Sequence, residues 1–101
     1  MTLYVLENKK AVPVDLRTWS DWFETADRQV DFTKIEGYEI STVFLGIDYG
    51  HGFTREPLLF ETMIFGNVNL DNYQTRCATW DEAIEMHKEA IELINAEEKD
   101  V

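Results

Sequence analysis

Cysteine occurs once in this 101-residue chain, at Cys77. No intrachain disulfide can form, and that usage favours a reducing compartment. Histidine is almost as scarce: His51 and His87 fall on different segments, away from Cys77, without the close spacing of a zinc site. Positive charge is short as well, with nine Lys and Arg against twenty Asp and Glu and a net charge of −11. Direct binding to nucleic acid phosphates or to anionic membranes is therefore not expected, since both need a basic surface. No apolar run approaches the ~20 residues of a membrane helix. The start, MTLYVLENKK, has no basic stretch ahead of an apolar one, so it does not read as a signal peptide. A cytoplasmic location is the expectation. Nucleophile elbow, HExxH and Walker patterns are all missing, and no catalytic residue, metal ligand or cofactor is assigned.

What is there supports a packed core. Hydrophobic residues make up 45% of the chain and aromatics 13%, which excludes a disordered class. The length suits a single domain, 1–101. The centre is the stretch from Ile40 to Asn67, where ISTVFLGID and PLLFETMIFGN flank a Gly-rich polar segment. Each run has strand length and is rich in β-branched and aromatic residues. They are expected as neighbouring antiparallel strands in the middle of the only sheet, over Glu39–Asp48 and Leu58–Phe65. Leu3–Leu6 and Val30–Ile35 read as further strands. Tyr73–Ala78 reads as a short strand or extended lead-in. Ala11–Val14 is either a short strand or a lead-in to the first helix, and Pro13 argues for an edge.

Two segments have helical period. Asp15–Ala26 carries Leu16, Trp19, Trp22, Phe23 and Ala26 on one stripe, with Asp15 as N-cap. Core packing explains those rings better than a ligand cage. Trp80–Ala96 follows a capping box, Thr79 with Glu82. Its buried stripe includes Trp80, Ala83, Ile84, His87, Ile91 and Ile94, and His87 reads as a core histidine with a satisfied ring. Met86 and Leu93 sit toward the polar side. The expected architecture is α+β: an antiparallel β-sheet with two amphipathic helices packed on one face.

Three features are candidates for function. The acids Glu82, Glu85, Glu89 and Glu92 share the outer face of the last helix, and residues 80–101 carry −6 of the total charge. A solvated face is the plain reading; a carboxylate row offered to a basic partner is the sharper one. The loop Asp48–Pro57 spaces Tyr49, His51, Phe53 and Arg55 by two around Gly50 and Gly52, and a rigid sheet can present such a loop for binding. An ordinary hairpin connection explains the same glycines. Glu61 lies among apolar neighbours, so burial would require a partner, with Arg55 or Arg76 available.

The segments YVLEN, WSDWFETAD, ISTVFLGID, PLLFETMIFG and TWDEAIEMH, in that order, resemble a family of small uncharacterised proteins of bacteriophage and bacterial genomes. The resemblance covers most of the chain. It implies a phage or prophage origin, hence a host-cell cytoplasm, and brings no activity and no catalytic residues. Small acidic phage proteins sometimes inhibit host machinery, including defence complexes, by placing carboxylates where phosphates would sit. The expectation is accordingly a non-enzymatic binding protein whose partner has a basic surface, such as a host nucleic-acid-binding protein. The alternatives are an assembly protein that homodimerises through an open sheet face, and a small enzyme using Glu61 and the 48–57 loop.

Overall fold

The computed structural model describes residues 2–48, 56–66, 70 and 72–99. The order of elements is β1 (Leu3–Glu7), β2 (Lys10–Val14), α1 (Leu16–Thr25), β3 (Gln29–Ile35), β4 (Tyr38–Phe44), β5 (Phe60–Phe65), β6 (Gln74–Cys77) and α2 (Trp80–Lys99). The fold is α+β, with all strand pairs antiparallel. The two central runs do become neighbouring middle strands, in the order β3-β4-β5-β6. They are not in the only sheet, because β1 and β2 form a separate two-stranded one. Pro13 sits in that hairpin, opposite Tyr4, where a missing N–H is tolerated.

β4 stops at Phe44, four residues before the expected end at Asp48. The cause is Gly46, whose φ of +76° turns the chain out of the ladder. The turned segment is held by the hairpin instead: the Tyr4 N–H donates to the Gly46 carbonyl, and Leu3 bridges to Ile47. Gly46 is also tightly enclosed, since a Cβ there would stand 3.1 Å from Trp19 Nε1.

Alternation along the strands gives the sheet two unlike faces. Tyr38, Ile40, Thr42 and Phe44 of β4 and Phe60, Thr62 and Ile64 of β5 are buried on one face. α2 lies across all four strands of this sheet. Its small residues Ala83 and Ala90 let the helix approach, and Ile94 fills the far end. Met86 is buried, against the expectation that it lay toward the polar side, whereas Leu93 is exposed as expected. Two apolar clusters result. One joins Tyr38, Ile40, Ile64, Leu70, Ala90 and Ile94, and the other joins Phe44, Leu59, Phe60 and Ala83.

α1 starts as the sequence predicts. The Asp15 carboxylate accepts from the Thr18 backbone N–H, and that bond holds its pKa below the ordinary carboxylate value. Its packing differs from the expectation. α1 docks on β1 and meets the second cluster through Trp22, whose ring stands edge-on to Phe44 at 5.8 Å. No α1 residue is fully buried, and Leu16 is 67% exposed. The Trp19, Trp22 and Phe23 rings are half-buried. Trp19 stacks on Phe23 at 4.4 Å, and the Arg28 guanidinium covers the other part of that ring at 4.1 Å.

Candidate functional site

The acidic face of α2 keeps its four candidates exposed, but they are not equivalent. Glu82 completes the capping box. Its Oε1 accepts from the Thr79 N–H and hydroxyl, while the Thr79 hydroxyl accepts from the Glu82 N–H. Glu85 pairs with Lys88 one turn on, at 3.4 Å and with both side chains mostly in solvent, which contributes little. Glu89 and Glu92 have no ion-pair partner among the described residues. Glu82, Glu85 and Glu89 also border a groove between β6 and α2, whose floor includes Thr75, Cys77 and Met86. A negative wall thus runs beside a concave surface.

The thiol in that groove is held in its protonated form. Burial, and then the Glu82 charge, push the Cys77 pKa up to about 11, so it stays protonated at neutral pH. Its Sγ donates to the Thr79 carbonyl at 3.6 Å. Cys77 and His87 do not assemble, because both nitrogens of His87 are engaged elsewhere.

His87 lies between the two apolar clusters. Its Nδ1 is 2.7 Å from Thr42 Oγ1 and its Nε2 is 2.8 Å from Thr33 Oγ1. Thr42 in turn meets Thr62 Oγ1 at 2.5 Å. Asp31 Oδ2 stands 3.7 Å from Nε2 at the protein surface. Burial lowers the His87 pKa and the Asp31 charge offsets part of that. The Asp–His–Thr order resembles a nucleophile relay in name only: Thr42 and Thr62 are 0% exposed, and neither lines a described cavity. It is a satisfied buried polar chain.

Glu61 is 9% exposed and meets the need that its apolar neighbours predicted. Arg76, directly opposite on β6, brings Nε to 2.9 Å from Glu61 Oε2. The Gln74 amide donates to the same oxygen. No second titratable carboxylate or histidine joins this cluster among the described residues. Tyr49, His51, Phe53 and Arg55 lie outside the described residues, so the 48–57 loop is represented by Asp48, Glu56 and Pro57. Among the described residues, no group of three His, Cys, Asp or Glu could hold a metal ion, and no helix is long and apolar enough to cross a membrane.

Sequence reading missed two features. One is the cleft between the β1–β2 turn and the start of α2, whose walls are far apart in sequence. Only the paired Lys9 and Lys10 in so acidic a chain could have marked it. The other is the threonine relay, signalled by Thr33, Thr42 and Thr62 at apolar positions of three strands. Compared with protein-family models, with curated proteins and with solved structures, the chain matches none.

Proposed function

We propose that this chain is a non-enzymatic binding protein that presents the outer face of α2 to a basic protein surface. The observation that carries the reading is the exposed row Glu85, Glu89 and Glu92, of which Glu89 and Glu92 are uncompensated among the described residues. A neutralised row would offer a partner nothing; this one keeps its charge available for steering and register. Glu82 anchors the row by fixing the helix start. The phage-encoded inhibitor of a host protein is the narrower form of the same reading, and it rests on the resemblance and the charge. A cytoplasmic location is part of it.

The test is capture from a bacterial lysate by the immobilised protein and by its Glu85→Lys/Glu89→Lys variant. The reading expects a basic protein held at low salt by the former and lost by the latter.

A second reading has its own observation. The sheet face bearing Glu61 also exposes Phe32 at 45% and Phe65 at 43%, and carries the half-buried Val43 and Met63. A homodimer closing over these side chains takes both helices to lie on the opposite side of the sheet. Glu39, Lys34 and Ser41 share this face, so it is mixed rather than wholly apolar. Sedimentation at high protein concentration tests it, with a monomer as the adverse result.

A further inference from the structure

We infer that the cleft between the β1–β2 turn and the N-terminus of α2 is a binding site for a small planar aromatic carboxylate. This goes beyond the α2 reading and rests on different residues. The cleft measures about 610 Å³, within the range of small-molecule sites. Its apolar wall is formed by Tyr4, Leu59, Phe60 and Trp80. Leu59 and Phe60 are fully buried behind it, while Tyr4 and Trp80 are half-buried. Phe60 and Trp80 meet edge to face at 6.3 Å, so the Trp80 ring is fixed by a rigid neighbour.

The lining also carries Lys9 and Lys10, a cationic pair in a chain of net charge −11. Lys9 Nζ already stands over the Trp80 ring, 5.7 Å from its centroid. The turn that puts it there is unfavourable for lysine. Asn8 and Lys9 are the two central residues of the hairpin, with φ of +49° and +69°. Asn-Gly is the pair this turn type prefers, and a lysine at φ > 0 is strained. Glycine would make the turn easier and would remove the ammonium from the cleft. Strain held at the rim of a cavity, with a side chain aimed into it, is an observation that points to use.

The chemistry of the walls sets the ligand class. A flat ring fits beside the half-buried Trp80 and Tyr4. A carboxylate at one end meets Lys9 and Lys10. Asp81 and Glu56, also on the rim, disfavour a second negative group and can accept from a ring hydroxyl.

The test is amide and indole NMR of the full chain titrated with 4-hydroxybenzoate, and separately with its neutral amide. Saturable shifts are expected at the Trp80 indole N–H and at Lys9 and Lys10, with the amide at least about fivefold weaker. Lys9→Gly should keep the fold, with a melting temperature equal to or above that of the natural chain, and should weaken 4-hydroxybenzoate about five- to tenfold. Absence of saturable shifts, equal binding of the amide, or unchanged affinity in Lys9→Gly each overturns the inference.

Discussion

His87 Nδ1 lies 2.7 Å from Thr42 Oγ1, at a place in the core where no water is needed to satisfy either group. With Thr33 on Nε2, the imidazole has a hydroxyl on each nitrogen. A neutral ring donates with one nitrogen and accepts with the other, and hydroxyls serve both roles. The pair therefore holds the uncharged imidazole between two apolar clusters.

Stability should consequently fall as the pH drops through the histidine range. In the unfolded chain His87 takes a proton near its ordinary value, about 6.5; in the folded chain burial lowers that value. Below about pH 6.5 the unfolded state binds the extra proton, so this contribution is complete above that pH and is lost on acidification. Denaturant titrations between pH 7.5 and 5.5 should show a steeper loss for the natural chain than for His87→Gln. Asp31→Asn should depress the His87 pKa further, as read by NMR, because Asp31 is the charge that raises it. A His87 pKa above the unfolded value would contradict this placement.

Glu61 and Arg76 give a second expectation. Arg76→Met leaves the Glu61 carboxylate largely buried, with the Gln74 amide still donating to it. Losing a hydrogen bond to a charged group of this kind costs about 1.5–3 kcal/mol. The double variant Glu61→Leu/Arg76→Leu should recover most of that, since replacing both ions removes the desolvation cost as well as the attraction. Equilibrium unfolding of both variants checks the sign of the difference.

Much of this fold was legible because local signals agreed with one another. The Asp15 N-cap, the Thr79–Glu82 capping box, the period-2 alternation of β4 and β5 and the core position of His87 all follow from nearest neighbours in sequence, and the structure has them. The burial of Trp19, Trp22 and Phe23 did not follow. Their spacing marks a stripe, but a stripe does not say how much of the protein lies across from it, and here the facing element is one β-hairpin. The end of β4 was missed because Gly46 reads as a strand residue until the hairpin that captures it is known. For the candidate sites, the α2 row was legible from helical spacing, whereas the cleft joins Lys9 to Trp80 across most of the chain.

The half-buried stripe predicts an ordering of costs. Phe44→Ala removes a 0% exposed ring from the second cluster and should cost about 3–5 kcal/mol. Trp19→Ala loses the stack on Phe23 and the indole N–H bond to the Gly46 carbonyl. It should cost about 1–3 kcal/mol, below the core value, because the ring is partly in solvent already. Equal losses in thermal unfolding would place Trp19 in the core proper.

Backbone contact makes Gly66 a sharper case. Its φ is +109°, and an added Cβ would run into the Gly37 carbonyl oxygen, which is backbone and cannot swing away. Gly66→Ala should destabilise by more than about 2 kcal/mol. Gly37, with φ +86° but open space around it, should lose less on the same change, about 1 kcal/mol. Paired unfolding curves separate steric clash from backbone preference alone.

The central claim is that the α2 acids are a recognition surface, and the salt dependence of binding tests it most directly. Along a helix, positions three and four apart rise about 4.5–6 Å, so the exposed Glu85, Glu89 and Glu92 present a regular line of charge. The measurement is the affinity of the captured basic protein for the natural chain and for Glu85→Lys/Glu89→Lys between low and physiological salt, with both chains shown to fold. The account predicts at least a tenfold loss of affinity at low salt, about 1.4 kcal/mol, and a flatter salt dependence in the variant. A variant that keeps both the affinity and the salt dependence would show that the row serves solubility and not recognition.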